Sequence, residues 1–514
     1  MTTEHSRSRG ATGRWLLAAT ILGSSMVFID GTAVNVALPA LQKSLDASIG
    51  DVQWVVEAYI LTLSALMLVG GALGDRYGRR LVFSAGIASF AAASAWCGLA
   101  PNVIQLIIAR GAQGIAAALL VPGSLALITG FFPAAERGKA IGTWAAASAM
   151  TGVAGPALGG WLVDAGSWRA IFYMNVPLAA ITLGILWLKV PRDHPGKPAG
   201  PLDWLGALLA TLGLGGVVFG FIESEQLGIG HPLVLGCLAA GMLFLAGCVI
   251  QERRATLPLL PLELFRSRMF TGANLFTLFL YAALSATLFF FPLNLVQIRG
   301  YSATQAGLAM LPLIALISLL SRWVGGFMNR TGARVLLVAG SVTAAAGFGL
   351  FALPGVTGTY WTTFLPALTV LGIGMALCIA PLTTVAMTAA PSKRAGVASG
   401  INNAISRVAG LLAIAGLGAL CVWWFRHELS IHLDALHLEP ALRHAVESET
   451  SSLAAMKIPP GADPATARAL SAAIRQSFVS GFRLVSLSSA GLALLSSLTA
   501  WATIRDPAQK SSSR

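Results

Sequence analysis

The sequence predicts an all-α polytopic membrane protein: two related six-helix halves with two further helices between them, fourteen transmembrane helices in all. Three observations carry this. The 514 residues are 56% hydrophobic and only 11% charged, whereas soluble domains carry about 25% charge, and the mean hydropathy is +0.75. The apolar residues fall in runs long enough to cross a bilayer core, which takes about 20 residues of helix. A Gly- and Arg-rich stretch between the second and third runs returns between two runs of the second half.

Taken in order, the spans lie at roughly 15–38, 53–73, 81–100, 103–126, 140–163, 168–189, 203–222, 232–250, 270–294, 303–328, 333–353, 360–386, 396–424 and 481–503. The basic stretch through Arg14 precedes a run that is too long for the core of a signal peptide and is interrupted by Asp30, so it reads as an uncleaved first span. The implied organisation is a tail over 1–14, a six-helix half over 15–190, two extra helices with their linkers over 191–268, a second half over 269–504, and a tail over 505–514.

A net charge of +13 raises the question of nucleic acid, but such a partner needs Lys and Arg gathered on one solvated surface. Here they are dealt out in twos and threes between apolar runs, and no nucleic-acid partner is expected. Placing both termini in the cytoplasm puts Arg7, Arg9, Arg14, Arg76, Arg79, Arg80, Arg137, Lys139, Lys189, Arg253 and Arg254 inside, and leaves the short outer loops with Lys43, Arg169 and Arg299. The reverse orientation inverts this bias, so the positive-inside rule selects the first. One long segment, 425–480, mixes both charges and is assigned to the outside. It holds His427, His432, His437 and His444 without the i, i+4 spacing of a helical zinc site, and no metal is assigned. The five cysteines lie in or at the ends of apolar runs without C-x-x-C spacing and read as small buried hydrophobes.

The repeated stretch contains Gly71, Asp75, Arg76, Gly78, Arg79 and Arg80. It is a tight loop at one membrane face, with glycine for the turn and an acid among cations that can pair with it or with a helix end. Its echo holds Gly325, Asn329, Arg330, Gly332 and Arg334, so an amide stands where the first copy has its acid. A second echo aligns Pro133, Gly138 and Gly142 with Pro391, Gly396 and Gly400. Matches about 255 residues apart indicate duplicated halves.

Charges inside a span are costly and mark function. Asp30 and Arg110 sit at matching depth, roughly 10 to 12 Å from the outer ends of the first and fourth spans at 1.5 Å per residue, which permits a pair. A carboxylate that takes a proton when its arginine moves away is what a proton-coupled cycle needs. A static ion pair joining two spans is the plain alternative. Glu57 lies nearer the outer surface, as a second proton or cation site or as an interfacial carboxylate without a role.

These residues fall in motifs that resemble the major facilitator superfamily. The loop matches its G-x-x-x-D-R-x-G-R-R signature, and Phe28 to Pro39 resembles its first-span motif L-D-x-T-x-V-N-V-A-L-P, with Phe28 and Ile29 preceding the acid. Arg110, Gln113 and Gly114 match the fourth-span R-x-x-Q-G motif; Gly152, Gly155, Pro156, Gly159 and Gly160 match the fifth-span antiporter motif; Trp168, Arg169, Phe172, Asn175 and Pro177 resemble the start of span six. The resemblance covers nearly the whole chain and points to the fourteen-span drug:proton antiporter branch. It implies the major facilitator fold, a cytoplasmic gate in which Asp75 lies against a helix N-terminus, proton transfer at the fourth-span motif, and a fifth span able to pivot. With Asn329 in the echo, closure leans on Asp75.

The resulting expectation is a proton-coupled exporter of lipophilic or cationic drug-like compounds, working by alternating access in the cytoplasmic membrane. It needs no cofactor beyond the proton gradient. Its partners are the small-molecule substrate, membrane lipid and, in a bacterium with two membranes, a periplasmic adaptor. A proton-coupled symporter importing a nutrient shares the fold, and a transporter-like sensor is a third reading. The sequence holds no Walker A loop, H-E-x-x-H or G-x-S-x-G, so enzymatic hydrolysis by those routes has no support.

Overall fold

The computed structural model describes residues 2–132, 134–191, 203–255, 262–389, 395–436, 438–456, 458 and 462–504. Its α-helices in chain order are α1 (Thr2–Leu45), α2 (Ile49–Tyr77), α3 (Arg79–Leu99), α4 (Val103–Phe131), α5 (Ala134–Ala165), α6 (Ala170–Tyr173), α7 (Asn175–Lys189), α8 (Trp204–Leu227) and α9 (Pro232–Arg254). The second half follows with α10 (Arg268–Leu293), α11 (Ala303–Ala309), α12 (Leu311–Thr331), α13 (Ala333–Phe351), α14 (Tyr360–Thr388), α15 (Ala395–Ala435), α16 (Pro440–Ser448) and α17 (Pro464–Thr503). Among the described residues, thirteen helical segments are long and apolar enough to cross a membrane. The remaining predicted span, 140–163, lies within the 32-residue α5, built largely of Ala, Gly, Ser and Thr.

The chain forms two compact units. In the first, α2 and α3 pack on α4, α1 packs on α4, α5 and α7, and α3 packs on α7. Its core is a cluster around Met26, Leu63, Phe83, Ile87, Phe90 and Leu120. In the second, α12 and α13 pack on α14, α10 packs on α14, α15 and α17, and α13 packs on α17. The six pairings repeat in the same order once α10, α12, α13, α14, α15 and α17 are set against α1, α2, α3, α4, α5 and α7. This is the physical counterpart of the repeated loop. Both copies of that loop reduce to one glycine between two helices: Gly78 at φ 100° joins α2 to α3, and Gly332 at φ 84° joins α12 to α13. Residues with a Cβ resist that backbone region.

The helices α8 and α9 meet along a glycine seam, where a Cβ on Gly216 would lie 3.0 Å from the Cα of Gly241. Only 11% of the α9 span is buried. Small residues at such a seam let backbones approach within lipid, where burial of apolar surface supplies no drive.

The structure refines several predicted boundaries. The single span expected at 303–328 is broken between α11 and α12, just before Pro312, whose ring cannot follow the preceding turn without displacing a hydrogen bond. The span expected at 270–294 ends in a π-helical turn over Asn294–Ile298, directly after Pro292. The outer segment expected over 425–480 is largely helix: α15 runs on to Ala435 and α17 starts at Pro464, so hydrophobicity marks where these helices leave the bilayer and not where they end. Asp463 caps α17 by accepting from the amides of Ala465 and Thr466.

Candidate functional site

Asp30 comes from the middle of α1 and Arg110 from α4, and the two meet: Arg110 Nη1 donates to Asp30 Oδ2 at 2.5 Å. Asp30 is 0% and Arg110 1% exposed. Ionised groups taken out of water in this way require each other and further hydrogen bonds. The structure supplies them. Gln113, one turn on from Arg110, donates through Nε2 to Asp30 Oδ1 at 2.9 Å and accepts from Arg110 Nη1 at 2.7 Å. Arg110 Nε donates to the carbonyl of Val55 on α2 at 3.0 Å. The guanidinium carbon lies 4.2 Å from the ring centroid of Tyr59, within cation–π range.

Three residues that the sequence reading did not single out as site members complete the cluster. Asn175 Nδ2, at the start of α7, donates to Ser94 Oγ at 2.9 Å and to Asp30 Oδ1 at 3.4 Å. Ser94, on α3, donates to the carbonyl of Phe172 at 2.8 Å and accepts from Gln113 at 3.3 Å. Cys97 Sγ lies 3.5 Å from Gln113 Oε1. Asn175 stands in the span-six motif, which is its signal, whereas nothing in the sequence marks Ser94 or Cys97 as members of a site. Donors from α4 and α7 thus converge on the carboxylate that α1 supplies, with Ser94 of α3 bonded to two of them.

Glu57 differs from its predicted surroundings. It is 0% exposed, and neither carboxylate oxygen has a hydrogen-bond partner. Depth along the sequence suggested an interfacial side chain, but α2 turns this position into the protein. An unpaired buried carboxylate is neutralised by a proton or by a cation.

The motif glycines are places of close helix contact. A Cβ on Gly114 would collide with Thr62 Oγ1 and the carbonyl of Tyr59, so α4 reaches α2 through this gap. Cβ atoms on Gly155 and Gly159 would collide with Thr32 and Ala33, against α1. Gly160 faces the carbonyl of Ala303, and Gly307 faces that of Pro156, so the antiporter motif packs on α1 with one side and on α11 with the other. Gly152 has no neighbour within 4 Å of such a Cβ, and α5 continues as helix through Pro156. Just past the predicted span, Asp164 accepts from the backbone amides of Ala303 at 3.2 Å and Thr304 at 2.8 Å.

At the repeated loop, Arg79 Nη1 donates to the carbonyl of Ala126 near the end of α4 at 3.1 Å. Arg76 is exposed and lies over Tyr77, Arg80 is half-buried, and Gly71 faces Pro122. In the echo, Arg334 lies 5.6 Å from the Trp501 ring centroid. The expectations placed on Asp75, Gly325, Asn329 and Arg330 fall on side-chain positions outside the described residues.

A family model described as Major Facilitator Superfamily matches residues 20–414. The multidrug resistance protein Stp of Mycobacterium tuberculosis (strain CDC 1551 / Oshkosh) is 36% identical over 431 residues, 84% of this chain and 80% of that protein. The tetracenomycin C resistance and export protein of Streptomyces glaucescens is 35% identical over 421 residues, 81% of this chain and 78% of that protein. Among solved structures, a bacterial homologue of the human lysosomal transporter Spinster, inward-facing and unoccupied, matches 97% of this chain and 99% of its own with a TM-score of 0.64 at 20% identity. That last likeness is one of fold. A match running from the first span into the thirteenth, with relatives sharing more than a third of aligned residues, reflects common descent: the chain belongs to the major facilitator superfamily.

Proposed function

We propose that this transporter exports hydrophobic, often cationic, drug-like compounds across the cytoplasmic membrane in exchange for protons. The observation that carries the proposal is the buried cluster around Asp30, whose carboxylate is balanced by Arg110 and by amide donors from Gln113 and Asn175. Withdrawing Arg110 leaves a carboxylate in a dry site, where protonation removes the charge. Such a site alternates between an ion pair and a neutral acid as the helices move, which is the requirement for coupling. The names of the relatives, multidrug resistance and tetracenomycin C resistance and export, support export of drug-like compounds. Glu57 is the second acid of the reading. Buried without a partner, it is suited to a further proton or to the positive charge of a substrate.

The test is efflux of a fluorescent lipophilic cation from energised cells carrying wild type, Asp30→Asn, Glu57→Gln or an empty vector, with and without a protonophore. Wild-type efflux is expected to collapse with the protonophore, and Asp30→Asn to be inactive at normal expression. Glu57→Gln is expected to lose cations while still exporting neutral compounds. Full activity in Asp30→Asn would remove the proton site from this cluster. Efflux that survives the protonophore would remove proton coupling altogether.

A further inference from the structure

Away from the Asp30 cluster, the first unit carries a groove of about 870 Å³ lined by Tyr77, Arg80, Leu81, Ser84, Ala85, Ala88 and Trp187. Its position is set by α3, whose residues 81, 84, 85 and 88 share one helical face. Three of them are small, so that face is a trough between bulkier neighbours. Leu81 is 64%, Tyr77 52% and Trp187 67% exposed, in a unit whose outer surface faces lipid. A trough lined by residues 80 to 88 of α3, about two turns of helix or roughly 12 Å, matches a stretch of acyl chain.

The two ends of the groove differ in chemistry. Toward Ala88 it is apolar. At the other end stands Arg80, with exposed Arg76 on the last turn of α2 and exposed Lys189 two residues on from Trp187. The N-terminus of α3 opens here with Gly78 as its cap residue and no side-chain cap, so the positive end of the helix adds to the same field. In sequence Asp75 is the one acid beside the arginines at 76, 79 and 80; Arg79 is engaged with the end of α4, and Arg80 also has a contact within the protein. One turn below Arg80, Ser84 lines the groove with its Oγ buried and without a hydrogen-bond partner. Exposed Tyr and Trp beside this end are the residues that settle at the headgroup level of a bilayer.

We propose that this groove binds an anionic phospholipid, with the phosphate against Arg80, Arg76 and Lys189 close by, Ser84 below it and one acyl chain along α3 toward Ala88. A basic pocket between membrane helices selects acidic headgroups. A lipophilic cation meets like charge here, and a zwitterionic lipid brings a cation of its own to the same place. The lipid's role follows from its location: it contacts α2, α3 and α7 at the turn that joins the first two of them.

The test uses the full chain purified in mild detergent and titrated with phosphatidylglycerol or phosphatidylcholine of the same acyl chains, with bound lipid counted by native mass spectrometry. Wild type is expected to bind the first at least about fivefold more tightly, since each basic residue near a headgroup contributes about that factor. Arg80→Gln and Lys189→Gln should each weaken phosphatidylglycerol about fivefold and leave phosphatidylcholine unchanged. Ala88→Trp, which fills the trough, should abolish the preference while thermal unfolding stays that of wild type. Equal binding of the two lipids, or a preference that survives in folded Ala88→Trp, would overturn the proposal. Should Ala88→Trp not fold, Trp187→Ala opens one wall without crowding. Weaker phosphatidylglycerol binding in that variant supports the site, and unchanged affinity overturns it.

Discussion

At the scale of single residues, Asp30 and Arg110 are bound to each other by the cost of leaving either alone. Arg110→Gln leaves a buried carboxylate without its cation and is expected to destabilise the protein by about 3–5 kcal/mol. The double variant Asp30→Asn/Arg110→Gln removes both charges and should recover most of that loss. Thermal unfolding of the four proteins in detergent closes the cycle, and additive effects of the single variants would show that the contact carries no coupling. Ser94→Ala removes an acceptor shared by Gln113 and Asn175 and a donor to Phe172, for an expected cost of about 1–3 kcal/mol. The acid and the base of this pair were legible in the sequence because charges are rare in an apolar span. Ser94 and Cys97 were not, since Ser and Cys occur throughout membrane helices and only packing tells which of them face a carboxylate.

At the scale of elements, the antiporter motif joins α5 to α1 and to α11. Gly159→Val would push a side chain into Ala33 and is expected to cost about 1–3 kcal/mol by overpacking, with transport lost before folding. Asp164 ties α5 to the start of α11. Burial pushes its carboxyl upward, but hydrogen bonds from Thr304, Ser302 and Ala303 outweigh this and hold it below its ordinary value of 3.8. A lowered carboxyl contributes stability that is full above the unfolded value and lost as pH falls through the folded one. The tie is therefore complete at neutral pH and fails only below pH 3.8. Asp164→Ala is expected to raise hydrogen exchange of the Ala303 and Thr304 amides about tenfold at neutral pH, the effect of losing about 1.4 kcal/mol. Unchanged exchange would mean that Gly160 and Gly307 alone hold α11 in place. The antiporter motif could be read from its glycines, whereas the division of those glycines between two neighbours could not, because a helix shows its small residues without showing what approaches them.

At the scale of the whole molecule, the proposed exchange has an energetic signature. A membrane potential of about 150 mV acting on one elementary charge supplies roughly 3.5 kcal/mol, near 300-fold in concentration. Exchange of one proton for one monovalent cation moves no net charge and draws only on the pH gradient. In proteoliposomes with an imposed pH difference, valinomycin-clamped potentials are then expected to leave uptake of a monovalent cation unchanged, while a neutral substrate responds to them. A cation whose uptake follows the potential would require more than one proton per cycle, for which Glu57 is the second candidate acid after Asp30. The order and approximate number of the spans, the duplicated halves and the rare intramembrane charges could be read from the sequence, because hydrophobic length and the cost of a buried charge act locally along the chain. Tertiary structure alone decided that Glu57 is sealed from solvent without a partner, that Asn175 and Ser94 join Asp30, and that a small-residue face of α3 is an open trough. These depend on which side of each helix meets another, and an apolar helix in an apolar solvent carries little record of that choice in its composition.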